Sequence, residues 1–219
     1  MRLYEIKKPY DVVIGLGATC QVAYQLGLNG LRSFRAPLDW ILSYSTKDVI
    51  RLLRNRFDDF MQIKNIVIKE FIDPIYIVKE INYGFYLYHD LVRSSETEDF
   101  SMTYSLFKEK LNKYIIRFFS AIAQSDSILF VRSHTNPDES RELHSVLCEI
   151  ADKKVNLLIV NYLDGYTLVE KNLGIDGICF VEIPDTKEWY GYSSFWQQIL
   201  GGIRLIKEPE LRDEPILPQ

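Results

Sequence analysis

Two apolar runs decide the fold of this chain: SILFVR at residues 127–132 and NLLIVN at residues 156–161. Strands that are apolar along their whole length are buried on both faces, which is typical of parallel sheets. The residues between the two runs, about 138–152, have the pattern of a helix, and GICFVEI at 177–183 is a further strand of the same kind. This order of elements predicts βαβ units and therefore an α/β fold.

Towards the N-terminus, the run DVVIGLG at residues 11–17 predicts another buried strand, and a helical pattern follows it from about Thr19. Short strands separated by turns predict a β-rich insertion near 62–92. Apolar periodicity predicts three further helices: one at 46–54 with Thr46 as its N-cap, one after the loop at 94–99 whose apolar stripe runs from 107 to 122, and one at about 192–206.

Together these elements predict one three-layer α/β domain over residues 1–207, with a mostly parallel sheet and helices on both of its faces. Residues 208–219 contain three prolines and are predicted to form an extended C-terminal tail. Ligands of open parallel sheets bind beyond the carboxyl ends of the strands. Because Cys20, His134 and the segment 162–164 follow such ends, we expect them to share one rim of the sheet.

Composition narrows the functional classes. The chain has 219 residues, is 47% hydrophobic and has a net charge of −4, which predicts neither a membrane span nor a nucleic-acid surface. Three cysteines without a secretory signal predict free thiols and a cytoplasmic location. His144 and Cys148 could form half of a metal site, but no second pair completes it, so we expect no metal and no cofactor. The oligomeric state is left open.

Cys20 is the strongest candidate for chemistry. Its thiol is predicted to lie in the first turn of a helix, where unpaired backbone N–H groups and the helix dipole favour the thiolate. A thiolate is the nucleophilic form of cysteine. The alternative is that Cys20 is a small buried apolar residue, as many free cysteines are.

Two histidines are candidate bases for this thiol. His89 ends an apolar strand and is followed by Asp90, which could orient the imidazole if the chain turns there. His134 follows a predicted strand and is the rival base. Asp39, held between a proline and the aromatic Trp40, could orient a histidine or receive a substrate hydroxyl.

Two other functions remain open. The turn GLGAT at residues 15–19 partly matches a dinucleotide-binding turn, so Gly17 and Thr19 could bind a phosphate, with Arg32 and Arg132 as its clamp. This reading predicts an enzyme that acts on sugars or nucleotides. The fourteen tyrosines could instead form the contact surface of a non-enzymatic binding module.

Several of these motifs occur together in one known family. The combination of LGxxC ending at Cys20, the pair 31–32, PLDWI at 37–41, the pair His89-Asp90 and Arg132 resembles a bacterial and viral family of unknown function labelled as papain-like cysteine peptidases. The resemblance implies that Cys20 is the nucleophile, His89 its base and Asp39 or Asp90 the orienting acid.

The resemblance implies a cysteine hydrolase, and our own reading of the residues predicts a cysteine hydrolase or acyltransferase with an acyl or glycan-type substrate. The predicted substrate contacts are Gly17, Thr19, Arg32, Trp40, Arg132 and His134. A papain-like fold would pair the cysteine helix with an antiparallel sheet, whereas the apolar runs predict a parallel one. A cysteine site on a different scaffold satisfies both observations, since such sites recur on unrelated folds.

Overall fold

The structure is a computed structural model that describes residues 1–207, so the predicted tail at 208–219 lies outside the described residues. The helices of this part of the chain are α1 (Cys20–Leu28), α2 (Thr46–Arg54), α3 (Phe100–Gln124), α4 (Pro137–Ala151) and α5 (Ser193–Leu200), with short 3-10 turns at Leu3–Ile6 and Ile63–Asn65. The strands are β1 (Pro9–Tyr10), β2 (Val12–Gly15), β3 (Ile41–Leu42), β4 (Ile66–Ile72), β5 (Ile75–Glu80), β6 (Phe85–Leu87), β7 (Ile128–Ser133), β8 (Asn156–Leu163), β9 (Val169–Lys171), β10 (Ile178–Pro184) and β11 (Arg204–Leu205).

The main sheet has five strands in the order β2-β7-β8-β10-β9. Strands β2, β7, β8 and β10 are parallel to one another, and β9 pairs antiparallel with β10 at one edge. The predicted mixed α/β fold with a mostly parallel sheet is confirmed. A papain-like fold is not confirmed, because β2, which leads into the cysteine helix, pairs in parallel with β7.

Alternation along the strands divides the core between the two faces of this sheet. Ile14, Phe130 and Ile159 belong to a hydrophobic cluster that includes the apolar sides of α2, α3 and α4. Their neighbours Val13 and Leu129 belong to a second cluster, with the apolar sides of α1 and α5. No helix within residues 1–207 is both long enough and apolar enough to cross a bilayer.

A second, antiparallel sheet has the strand order β3-β6-β5-β4. The sequence predicts a β-rich insertion near 62–92, and β4, β5 and β6 lie in that range, but the sheet also includes one strand from outside it. Strand β3 comes from the loop after Trp40 and pairs with β6, Ile41 opposite Leu87. This pairing draws the end of β6, and with it His89, towards the loop that precedes α2.

Two helix boundaries also differ from the predictions. The N-cap of α2 is Ser45, whose hydroxyl accepts a hydrogen bond from the N–H of Asp48, so Thr46 is the first helical residue. Helix α5 ends at Leu200 instead of continuing to 206. The chain leaves the helix at Gly201, whose ψ of 123° is not helical, then passes through Gly202 at φ +95° and forms β11 beside β1.

Candidate active site

Cys20 is the first residue of α1, at the point where the chain leaves the carboxyl end of β2. The turn between them depends on Gly17, which adopts φ +71°. A Cβ at Gly17 would lie 2.9 Å from Ser43 Oγ and 3.1 Å from Leu38 O. Only glycine fits both the conformation and the space, so this turn presents Cys20 at the helix start.

The carbonyls of this turn are all bound by neighbouring segments. Leu16 O accepts from Arg132 Nη1 at 2.6 Å, Gly17 O from the N–H of Ser133 at 3.1 Å, and Ala18 O from the N–H of Ser43 at 2.8 Å. The N–H groups of the first helical turn have no intrahelical acceptor. The Thr19 side chain does not cap them. They are therefore available to a ligand at the helix start.

A cavity of about 670 Å³ opens in front of Cys20. Its lining comes from the starts and ends of several elements and consists of Thr19, Cys20, Gln21, Trp40, Leu42, Tyr44, Tyr88, His89, His134, Tyr162, Asp185, Thr186, Lys187, Glu188 and Trp189. Of the predicted site residues, Cys20, Thr19, Trp40, His89 and His134 line this one space. Cys20, His134 and Tyr162 meet at one rim, as expected for residues that follow parallel strands.

The surroundings of Cys20 do not favour a resting thiolate. Burial, and to a smaller extent the nearby carboxylates of Asp90 and Asp39, raises the pKa of the Cys20 thiol to about 11. The backbone N–H of Cys20 and the guanidinium of Arg35 act in the opposite direction but do not compensate. The thiol is therefore protonated at neutral pH, contrary to the expectation from helix position alone, because desolvation outweighs the helix terminus.

Two histidines, His89 and His134, line the cavity. His89 is half-buried, and burial lowers the pKa of its imidazole, while Asp90 raises it. His134 adopts φ +51°, and its ring lies 5.3 Å from Tyr44 and 4.8 Å from Tyr162 between ring centroids. Burial lowers the pKa of His134 as well, opposed by Asp185. Both imidazoles are thus neutral at pH 7, and within residues 1–207 neither forms a hydrogen bond to Cys20.

Asp39 does not orient a histidine. It is 2% exposed, and its Oδ2 accepts from Arg32 Nε at 3.1 Å and from the N–H of Ala36 at 2.9 Å. Burial raises the pKa of Asp39, and Arg32 opposes this shift. A Cβ at Gly15 would lie 2.9 Å from Oδ1 of Asp39, so a larger residue at the end of β2 would collide with this carboxylate. Asp39 therefore braces the base of the cysteine turn without lining the cavity.

Asp90 and the arginines are likewise held away from the cavity. Asp90 forms an ion pair with Arg35, so it is not hydrogen-bonded to His89. Arg32 binds Asp39 and lies over the ring of Trp40, 5.7 Å from its centroid. Arg32 does not line the cavity, so its role as a phosphate clamp stays a prediction without support from the site geometry.

Arg132 is fully buried and serves the architecture of the site. Its Nη1 and Nη2 donate to Leu16 O and Ser43 O, both at 2.6 Å, and its Nε donates to Thr46 Oγ1 at 3.3 Å. Burial lowers the pKa of Arg132 to about 9, which leaves the guanidinium protonated at neutral pH. Instead of binding a ligand, Arg132 ties the cysteine turn to the start of α2.

One wall of the cavity was not predicted from the sequence. It is formed by residues 185–189, directly after β10, so the rule that placed Cys20 at a strand end would also have indicated this segment. Gln21 holds the wall in place. Its Oε1 accepts from Tyr162 Oη and from Trp196 Nε1, and its Nε2 donates to Trp189 O at 3.1 Å.

We expect Gly191→Ala to displace this wall. Gly191 adopts φ +73°, and a Cβ there would lie 2.6 Å from the Gln21 side chain. The matched control is Gly174→Ala, since Gly174 has φ +67° with nothing within 4 Å of its Cβ position. Backbone strain alone should cost the control about 1 kcal/mol of the free energy of unfolding, and Gly191→Ala should lose about 1 to 2 kcal/mol more. Urea denaturation of both variants measures the difference, and equal losses would contradict the contact with Gln21.

These features define an α/β protein whose cysteine, at a helix N-terminus, faces a cavity shared with two histidines. The chain belongs to the family described as "Putative papain-like cysteine peptidase (DUF1796)", whose sequence model matches residues 11–165. All the predicted site residues fall within that match. Within residues 1–207 no group of three or more histidine, cysteine or acidic side chains is arranged to hold a metal ion.

A viral relative extends the similarity beyond that range. The chain is 27% identical over 208 residues to "Uncharacterized protein R408" of Acanthamoeba polyphaga mimivirus, covering 88% of this chain and 86% of the viral protein. No solved structure gives a significant match.

Proposed function

We propose that this protein is a cysteine-dependent hydrolase or acyltransferase in which Cys20 attacks a carbonyl carbon and His89 moves the proton. One observation carries the proposal: Cys20 opens α1 at a cavity that His89 and His134 also line. Membership of a family described as cysteine peptidases supports the same class of chemistry.

The raised pKa of Cys20 determines how the first step proceeds. A thiol that is protonated at neutral pH must lose its proton as it attacks, so the reaction needs a general base. His89 is neutral at pH 7 and can take that proton directly or through one water molecule. In the same step the bond from Sγ to the carbonyl carbon forms, and the carbonyl oxygen becomes an oxyanion.

The start of α1 supports stabilisation of that oxyanion. Its N–H groups lack intrahelical acceptors and carry the positive end of the helix dipole. Donors that are fixed before the reaction stabilise developing charge most effectively. The bonds that Arg132, Ser133 and Ser43 make to the preceding carbonyls hold these donors in place.

The cycle closes with the same groups. The bond from the carbonyl carbon to the leaving group breaks as the leaving group takes the proton from His89, which leaves a thioester on Cys20. Water or another nucleophile then attacks the thioester and transfers its proton to His89. The Cys20 thiolate leaves and recovers that proton.

Acylation of the intact protein tests the proposal. Incubation with p-nitrophenyl acetate is expected to release p-nitrophenol in a burst and to add one acetyl group to Cys20, detected by peptide mass spectrometry. His89→Ala should slow acetylation about 10² to 10⁴-fold. His134→Ala is the matched comparison, and a loss confined to that variant would assign the base to His134 instead. Acetylation on lysines alone would refute the nucleophilic role of Cys20.

The pH dependence distinguishes this mechanism from one that uses a resting thiolate–imidazolium pair. The acylation rate should rise as the base loses its proton below pH 6.5 and then stay level through neutral pH, because the His89 pKa is lowered. Alkylation by iodoacetamide, which needs the thiolate, should be about 100-fold slower for Cys20 than for N-acetylcysteine at pH 8.5. It should approach its maximum only near the Cys20 pKa of about 11. Fast alkylation near pH 6 would contradict the neutral thiol.

A further inference from the structure

The cavity around Cys20 combines aromatic rings with carboxylates. Tyr44, Tyr88 and Trp189 line it with exposed fractions of 57%, 37% and 52%, so much of their ring surface is open to a ligand. The face of an aromatic ring carries negative potential and attracts cations, and desolvated cases are stronger than exposed ones. Such rings also stack on neutral planar groups, so the charged groups beside them determine which ligand is favoured.

The charged groups on the lining have a negative sum. They are Asp185, Glu188 and Lys187, all exposed, and none forms an ion pair within residues 1–207. None of the nearby arginines lines the cavity: Arg32 is paired with Asp39, Arg35 with Asp90, and Arg132 is buried beneath the cysteine turn, where backbone and hydroxyl oxygens accept its hydrogen bonds. The two lining histidines are neutral at pH 7. Two unpaired carboxylates against one ammonium leave a net charge of about −1 on the cavity lining itself.

We propose that the cavity binds a cationic group of the substrate, an ammonium or guanidinium on the acyl donor or its leaving group. The cation lies between the exposed rings and the carboxylates of Asp185 and Glu188. This inference rests on the proposed function, because it takes Cys20 as the reacting atom. It narrows the acyl substrates to those with a positive charge near the scissile carbonyl.

A bound cation would also act on the nucleophile. The carboxylates of Asp90 and Asp39 oppose the formation of a negative charge on the Cys20 sulfur. A positive charge in the same cavity offsets that opposition, so Cys20 loses its proton more readily when such a substrate is present. A cationic reagent should therefore react faster at Cys20 for two reasons: its concentration in the cavity is higher, and a larger fraction of Cys20 is thiolate when it is bound.

Three thiol reagents that differ in charge test the proposal without knowledge of the substrate. They are cationic trimethylammonioethyl methanethiosulfonate, anionic sulfonatoethyl methanethiosulfonate and neutral methyl methanethiosulfonate. In each case the Cys20 thiolate attacks the sulfenyl sulfur, a disulfide forms and methanesulfinate leaves. The rate at Cys20, followed by peptide mass spectrometry on the folded protein, is divided by the rate for N-acetylcysteine.

The cationic reagent is expected to react about tenfold faster than the anionic one after this correction, at low ionic strength, and high salt should reduce the preference. Asp185→Asn and Glu188→Gln should each lower the preference, and together they should remove it. Lys187→Gln should increase it. Glu109→Gln, an exposed carboxylate on α3 that does not line the cavity, is the matched control and should leave the preference unchanged.

The outcomes separate this inference from the proposed function. If Cys20 reacts equally with all three reagents, or if the double variant keeps the preference, the cationic site is wrong while the nucleophile stands, and a neutral glycan-type ligand would fit the rings. If no reagent modifies Cys20 in the folded protein although all modify it after unfolding, the proposed function itself fails.

Discussion

Replacing Cys20 with alanine is expected to abolish acyl-enzyme formation and to lower turnover of any acyl substrate by about 10⁴-fold or more. The side chain is only half-buried, so the protein should stay folded, and the loss would be chemical. The reason is that Cys20 is the only thiol on the cavity lining within the described residues. Neither histidine can replace it as a nucleophile that leaves a stable thioester.

Cys148→Ala is the matched control for this experiment. Cys148 is also half-buried and free, but it lies on α4, with its Sγ 3.7 Å from His144 Nε2 and no place on the cavity lining. Its loss should leave turnover unchanged. Turnover that survives in Cys20→Ala at more than about one-tenth of the original rate would show that the chemistry does not depend on the thiol.

Replacing Arg132 with alanine should have the largest effect on stability of the changes considered. It leaves Leu16 O and Ser43 O buried without donors, and an unsatisfied buried group costs about 1 to 3 kcal/mol. A cavity of guanidinium size adds to the loss, so we expect the free energy of unfolding to fall by about 3 to 5 kcal/mol. Urea denaturation followed by tryptophan fluorescence measures this change.

Two further variants make the Arg132 result interpretable. Arg54→Ala removes an exposed arginine whose pair with Glu142 is about half accessible to solvent, and it should change stability by less than about 0.5 kcal/mol. Arg132→Lys keeps a charge that can reach one carbonyl and should recover part of the stability. If Arg132→Ala costs no more than Arg54→Ala, the hydrogen bonds to the cysteine turn do not stabilise the fold.

Arg132 belongs to the motif that the sequence singled out, but it does not have the ligand-binding role that was predicted for it. Its position at the end of a predicted strand and its charge both fit a ligand clamp. The folded chain instead places it under the cysteine turn, where three protein groups occupy its donors. Sequence cannot distinguish these outcomes, because an arginine has the same pattern whether its acceptors belong to a substrate or to the backbone.

The parallel sheet and the position of Cys20 follow from local patterns in the chain. Apolar runs such as 127–132 and 156–161 are typical of central strands that are buried on both faces, and a glycine turn followed by helical periodicity places Cys20 at a helix start. Both properties depend on neighbours a few residues away. For the same reason the boundaries of α2 could be read from the chain, apart from the exchange of Thr46 for Ser45 as its cap.

The electrostatic state of the site could not be obtained in this way. The helix start predicts a low pKa for Cys20, yet burial and the carboxylates of Asp90 and Asp39 raise it. Asp90 and Gln21 take their partners from segments 55 and 168 residues away, Arg35 and Trp189 respectively. Desolvation and charge pairing depend on which distant groups the fold brings together, and local sequence carries no record of those distances. Periodicity therefore determined the scaffold, whereas long-range packing decided the protonation of Cys20 and the pairing of Asp90 with Arg35 and of Asp39 with Arg32.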